Sequence, residues 1–276
     1  MNHDEYCAQF LGQGGLLLDV GAGHGQFLCD MAKRGFRAFG VEKNAEYIRE
    51  AGVRATEQKV IISLVKAGAE DLPFKSDYFD FVNCAEVTEH VDDSNLVARE
   101  IFRVLKPGGK CYISFHNRFS WYDYHYHLYF INWLPRALAE PILRMLGKQK
   151  QDSPAIGRQK LATMHYYTHS RISRILKEIG FEVVDIRVNK IKNSLGLSSL
   201  PVLVLYVLFL RPLYFNTFHL LLTKKWNILA CGISKKIDRT GLCPSTDYCA
   251  WSSFVIFGFR PARRFSIGQP AVVSGN

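Results

Sequence analysis

The chain has 276 residues, 48% hydrophobic and 22% charged, which excludes a disordered chain and is long enough to bury a sizeable core. A formal net charge of +10 favours an anionic partner, whether nucleic acid, anionic lipid headgroups or an acidic small molecule. The seven cysteines are odd in number and form no CxxC pair, and Cys29, Cys84 and Cys111 sit inside apolar runs; a disulfide framework is not expected and a reducing cytoplasm fits better. The opening MNHDEYCAQF has neither a basic flank nor an apolar h-region, so no secretory signal is expected there.

In chain order, Leu16-Leu17-Leu18-Asp19-Val20 reads as a buried strand closed by glycines, and residues 24–34 as a helix ended by Gly35. Strands are expected at Arg37 to Glu42, Val60 to Val65 and Phe79 to Cys84, with a short helix at Ala45 to Ala51. Asn95 to Leu105 is amphipathic, with Leu96, Ile101, Val104 and Leu105 on one face, and Lys106-Pro107-Gly108-Gly109 stops it before a fifth strand, Lys110 to Phe115. This β-α alternation predicts a doubly wound, mostly parallel Rossmann-like sheet with helices on both faces. Between residues 116 and 166 aromatics and histidines crowd without a period. A helix at Thr168 to Ile179, stopped by Gly180, then leads to a strand at Phe181 to Val188. Residues 190–251 read as an apolar helical insertion before a last sheet strand, Ser252 to Phe259.

Asp19-Val20-Gly21-Ala22-Gly23-His24-Gly25 follows a strand and opens a helix. Glycines let such a loop approach a ligand, and the helix N-terminus supplies free N–H groups, at the point where open α/β sheets bind ligands. Glu42 ends the second strand about 20 residues later, where an acid reaches ribose hydroxyls. Loop and acid together indicate a nucleoside ligand. The glycines are spaced two and two, whereas a dinucleotide fingerprint spaces them two and three, which argues against a dehydrogenase.

These residues resemble the class I, seven-stranded S-adenosylmethionine-dependent methyltransferase family, in its small-molecule and lipid-quinone branch. Leu18 to Gly25 is similar to the family's first motif, and Glu42 to its ribose-binding acid. Ala69-Glu70-Asp71-Leu72-Pro73-Phe74 resembles the loop that brackets the adenine, and Val87-Thr88-Glu89-His90-Val91 the loop after strand four. Arg99 to Gly109 resembles the helix and turn before strand five. The resemblance covers residues 10–116 well and 165–190 and 252–260 more weakly. It implies S-adenosyl-L-methionine as cofactor, bound by Asp19, Gly21, Ala22, Gly23, Gly25, Glu42, Ala69, Glu70, Asp71 and Glu86. Two departures stand out. Gly68 replaces the Asp that in many relatives meets the adenine amino group, which passes that contact to Glu70 or Asp71 or loses it. Fifteen residues precede the first strand, too few for the helices that cover the site in relatives. The expected domains are therefore a cofactor-binding core at 1–116, a lid and acceptor-binding segment at 117–165, and the rest of the sheet at 166–189 and 252–260.

Methyl transfer needs a nucleophile aligned behind the sulfonium methyl, and a base where the acceptor is a hydroxyl. In this fold the acceptor lies over the carboxyl ends of strands four and five. That makes His90 and His116 the catalytic candidates, with Glu89 and Asn117 beside them; the competing reading of His90 is a histidine that hydrogen-bonds the loop backbone. Trp121 to Tyr129 alternates aromatics with imidazoles and reads as an aromatic lid. No histidine–carboxylate pair has metal-ligand spacing, so no metal is expected, although His125 and His127 are spaced to share one side of a strand.

Leu200 to Leu210, then Arg211-Pro212, then Leu213 to Leu222 form an apolar stretch with Lys190, Lys192, Lys224 and Lys225 at its ends. A span needs about 20 unbroken apolar residues, and Arg211-Pro212 divides this one. It reads as a hairpin dipping into the cytoplasmic leaflet of an anionic membrane, or as a buried helix pair or dimer interface. The function expected is methylation, at oxygen, of a small apolar or lipid-linked acceptor. The alternatives are a catalytically silent nucleotide-binding or membrane-scaffold protein, and an RNA or protein methyltransferase; no nucleic-acid module is present in support of the latter.

Overall fold

The computed structural model describes residues 2–196, 199–225 and 272–273. β1 (Leu16–Val20), β2 (Arg37–Glu42), β3 (Ile62–Lys66), β4 (Phe79–Cys84) and β5 (Leu105–Asn117) pair in parallel in the order β3-β2-β1-β4-β5. The helices between them are α2 (Gln26–Lys33), α3 (Ala45–Glu57) and α4 (Ser94–Val104). The period-2 geometry of β1 sends Leu17 into one core layer and Leu18 into the other. Leu17 meets Leu28 and Met31 of α2, and α1 (His3–Ala8) adds Cys7 to the same layer. Leu18 shares its layer with Val97, Ile101 and Val104 of α4. Helix starts follow local chemistry: Asn44 accepts from Glu46 N at 2.9 Å, and Asp93 from Asn95 N at 2.8 Å.

The second half of the sheet differs from expectation. After α6 (His169–Ile179) and β9 (Phe181–Asp185), the chain turns into α7 (Ile186–Leu195), because Asp185 caps it by accepting from Arg187 N and Val188 N. The strand expected to reach Val188 therefore stops at Asp185. α8 (Ser199–Leu205) and a wide-turn helical segment, Tyr206–Tyr214, follow. β10 (Thr217–Lys224) then inserts antiparallel between β5 and β9. The stretch Leu220-Leu221-Leu222 is thus no returning arm of a membrane hairpin. It is a sheet strand buried on both faces, which needs a continuous apolar run rather than alternation. The strand expected at 252–260 lies outside the described residues. With β10 and β9 the central sheet has seven strands, one antiparallel, and a two-residue strand, β11 (Val272–Val273), pairs along the edge of β3.

The lid segment builds a small core of its own. β6 (Tyr122–Asp123) and β7 (Leu128–Tyr129) form a hairpin, followed by a single helical turn at Ile131–Trp133 and α5 (Arg136–Met145). Tyr126, Ile131, Ala139, Leu143, Leu161 and Met164 bury one another. β8 (Tyr166–Tyr167) ties the end of the segment back to the tip of β5. Among the described residues, no helix is long and apolar enough to cross a membrane, and the four cysteines are buried and free.

Candidate active site

The glycine loop leaves β1 at the carboxyl edge of the sheet. Gly21 has φ +71°, and a Cβ there would meet Val87 Cγ2 at 2.4 Å, so the turn requires glycine. Gly21 N and Ala22 N donate to Val41 O at 2.9 and 3.0 Å. Glu42 then locks the loop: Oε2 accepts from Gly23 N at 2.9 Å and Oε1 from Asn44 N at 2.8 Å. Each oxygen keeps a second lone pair for a hydroxyl in front of it.

Gly21, Gly23, Glu42, Ala69, Glu70 and Glu86 line one open cleft of about 210 Å³. His90 lines its far end. Tyr47 of α3 and Ala155-Ile156-Gly157 of the lid complete the walls. Periodicity carries no signal for these last four. Gly157 is there because its backbone crosses His90, where a Cβ would stand 2.3 Å from His90 O. The predicted residues Asp19, Ala22, Gly25, Asp71 and His116 do not line the cleft. Ala22 is buried in the core, Gly25 packs against Ala51 at the start of α2, and Asp71 is exposed. Asp19 lies beneath the loop, accepting from Asn83 Nδ2 at 2.7 Å, and Asn83 Oδ1 pairs with His3 Nε2 at 3.1 Å. Burial pushes the Asp19 carboxyl up to about 7.

Gly68 has a substitute close by. Glu70 Oε2 lies 3.2 Å from the place a Gly68 Cβ would take, while Glu70 Oε1 accepts from Asp92 N at 2.7 Å. A carboxylate from two residues on therefore stands where the missing Asp would.

At the ends of β4 and β5 the polar groups are packed closely. Glu89 is fully buried, and His116 is 1% exposed. His116 Nδ1 lies 3.3 Å from Glu89 Oε1, and His116 Nε2 lies 3.6 Å from Glu86 Oε2. Burial raises the Glu89 carboxyl, but the imidazole of His116 more than offsets it and holds the group below its usual range; burial lowers His116, and Glu89 outweighs that in turn. Glu86, at φ +56°, is raised by burial and by Glu89. His116 packs against the rings of His125 and Tyr166, 4.7 and 5.3 Å away between centroids, and does not line the cleft; Glu86, which does, lies beside its Nε2. Asn117, the other candidate on β5, is also structural: Nδ2 donates toward the carbonyls of Arg211, Pro212 and Phe215 at 2.8 to 3.2 Å.

A methyltransferase-domain family matches residues 18–113, a span that holds the glycine loop, Glu42 and the Glu86-to-His90 loop. Residues 18–113 thus resemble a methyltransferase domain. The chain is 36% identical over 103 residues to the ubiquinone biosynthesis O-methyltransferase of Aeromonas salmonicida, covering 37% of this chain and 43% of that protein. The same enzyme of Citrobacter koseri is 32% identical over 138 residues, covering 49% of this chain and 53% of that protein. The chain thus spans about half the length of the curated relatives it matches. Among solved structures, a SAM-dependent methyltransferase of Methanosarcina mazei superposes with a TM-score of 0.53 at 19% identity, covering 82% of this chain and 98% of that one. Phosphoethanolamine N-methyltransferase 2 of Haemonchus contortus, in complex with S-adenosyl-L-methionine, gives 0.52 at 17% identity, covering 82% and 53%. These last two likenesses establish the fold around the methyltransferase domain: a mostly parallel seven-stranded Rossmann-like sheet.

Proposed function

We propose that the chain is a methyltransferase that uses S-adenosyl-L-methionine to methylate an oxygen of a small, apolar or lipid-linked acceptor, such as a quinone-like ring. The observation that carries this reading is the single cleft that runs from the glycine loop and Glu42, past Glu70, to Glu86 and His90. The bound cofactor supplies the electrophilic methyl on its sulfonium. Glu42 accepts from the ribose hydroxyls on its free lone pairs, and Glu70 takes the adenine side in place of an Asp at position 68. Asp19, ionised by a cationic ligand above it, fixes the loop from beneath. His90 touches the acceptor end. His116 is a positioning residue that acts through Glu86 and Glu89.

Residues 117–165 serve as lid and acceptor-binding segment, and their exterior supports an apolar partner. Trp121 N donates to Leu213 O at 2.8 Å, and the Trp121 and Tyr214 rings lie 5.2 Å apart, which joins the lid to the helical excursion. Leu200, Leu205, Leu208 and Phe209 are at least half exposed along that excursion, beside Tyr129, Phe130 and Trp133. Exposed aliphatics flanked by Trp and Tyr, with basic residues near, suit the surface of an anionic membrane, and support a reading in which the enzyme attaches to its cytoplasmic face. The ubiquinone biosynthesis relatives support a lipid-linked quinone as acceptor.

The test is calorimetric titration of the detergent-stabilised protein with S-adenosylhomocysteine, beside NAD and a Glu42→Ala variant. Micromolar binding of the homocysteine product, absent for NAD and weakened about a hundredfold in the variant, is the expected result; two hydrogen bonds to a charged group are worth about that much. A folded protein that binds neither would return the chain to the scaffold reading.

A further inference from the structure

Away from the cleft, α6, β9 and the helical excursion line another open cavity, of about 650 Å³. α6 gives it one face, because His169, Ser173 and Lys177 recur at intervals of four and Arg174 stands beside them. Arg211 of the excursion joins them, with its guanidinium 6.0 Å from the centroid of the Tyr206 ring.

The charges in this cavity do not cancel. Among the described residues Arg174 and Lys177 form no ion pair, and Arg211 reaches only Asp185, with Nη1 3.7 Å from Oδ2. Asp185 is already engaged elsewhere. Its Oδ1 accepts from Arg187 N and Val188 N at 2.9 and 3.3 Å, and its Oδ2 from Tyr206 Oη at 3.0 Å. Glu178, the other carboxylate of the lining, is exposed on α6. Two polar atoms of the lining residues are also hidden from water with no hydrogen-bond partner among the described residues: Ser173 Oγ and His169 Nε2. The latter stands 3.5 Å from Asp185 Oδ2. A buried polar atom left so costs about 1–3 kcal/mol, and two of them beside unpaired cations call for an anion that accepts from them.

The donor set suits a phosphate better than a carboxylate. A phosphate offers at least three acceptor oxygens in different directions, whereas a carboxylate offers two in one plane. Arg211 can hold two of those oxygens with its planar fork, while Arg174 and Lys177 neutralise the charge. The cavity is larger than a phosphate ion fills, which leaves room for an esterified group. Phe209 and Leu208, two and three residues before Arg211, are 57% and 59% exposed, so the apolar chains of such an ester have a surface to lie on.

We propose that this cavity binds a phosphate group, held by Arg174, Lys177 and Arg211 together with the Ser173 hydroxyl and the His169 imidazole. A phospholipid headgroup and a free phosphate present that same chemistry. The site stands on its own lining; only its assignment to a lipid rests on the membrane-surface reading above.

The full chain, in phosphate-free buffer, is titrated calorimetrically with inorganic phosphate and with glycerophosphoglycerol, the headgroup of phosphatidylglycerol without its chains. One equivalent should bind saturably. Tighter binding of glycerophosphoglycerol assigns the site to a lipid headgroup, and tighter binding of inorganic phosphate to a free phosphate. Arg211→Gln should weaken binding about tenfold or more, since a hydrogen bond to a charged group is worth at least that. Arg174→Gln with Lys177→Gln should do the same, and keeps the fold because both side chains are exposed. Arg171→Gln, a charge lost from the same helix outside the cavity, should bind as the parent does. Saturable binding of neither probe, by protein that still binds S-adenosylhomocysteine, would overturn the site and leave the methyltransferase reading intact. So would binding that Arg211→Gln and the double variant leave unchanged. Phosphate binding by a parent that fails to float with phosphatidylglycerol vesicles would instead count against the membrane-surface reading alone.

Discussion

The two halves of the described chain solve the same problem by different means. From Leu16 to Asn117 each strand meets a neighbour one helix away, and each turn has its own local signal. From Arg118 to Phe215 the chain is held by long-range polar contacts: Asn117 to the carbonyls of the excursion, Asp123 to Tyr166, and His90 to Arg158. The first half depends on shape repeated at short range, so a change there damages the fold itself. The second depends on a few buried hydrogen bonds, so a change there loosens one segment and spares the sheet.

Four variants sharpen that contrast. The largest effect falls on the first half. Gly21→Val drives a branched side chain into Val87 at a left-handed backbone position, and should cost about 4 kcal/mol of global stability by chemical denaturation, with cofactor binding lost. On the second half, Leu208→Asp with Phe209→Asp should leave the melting temperature nearly unchanged, because both side chains are exposed. Flotation with phosphatidylglycerol vesicles should then fall by about 3 kcal/mol, more than a hundredfold. Unchanged flotation would remove the membrane from the proposal.

Asn117→Ala comes next. It frees three carbonyls around Arg211-Pro212 and should cost about 2 kcal/mol, seen as faster proteolysis at 206–215 with hydrogen exchange in β1 and β4 unaltered. The smallest effect is at Asp19. Its raised carboxyl means that the native state holds a proton the unfolded chain releases, so stability declines as pH rises from about 4 to about 7 and is level above. Asn83 opposes that shift, while Glu42 and Asp4 add to it. Asp19→Asn should match the parent near pH 4, melt a few degrees higher at pH 8, and bind S-adenosylhomocysteine more weakly throughout. A parent whose stability rises across that window would mean that the carboxylate is already paired.

The same contrast explains what the sequence made legible. The glycine loop, Glu42 and the β-α alternation were readable because each signal sits within a few residues of what it builds. Other features were not. Leu220 to Leu222 has the composition of a membrane arm and of a doubly buried strand alike, and only its pairing with β5 and β9 separates them. For Gly68 the sequence left Glu70, Asp71 or no substitute open, and only the fold brings Glu70 Oε2 to 3.2 Å from where a Gly68 Cβ would stand. His116, by contrast, sits at the carboxyl end of β5 as its position in the sequence implies, but it is buried against His125 and Tyr166 and does not line the cleft.

The antiparallel entry of β10 also has a consequence for how the protein is made. Among the described residues β9 has no partner in the sheet but β10, which lies some thirty residues further along the chain. During synthesis β1 to β5 can assemble as they leave the ribosome, while β9 waits with its edge unpaired until Thr217–Lys224 has emerged to slide in beside β5. A pause in translation between those two strands would prolong the exposure of that edge, and the cell's chaperones would be expected to meet the nascent chain there.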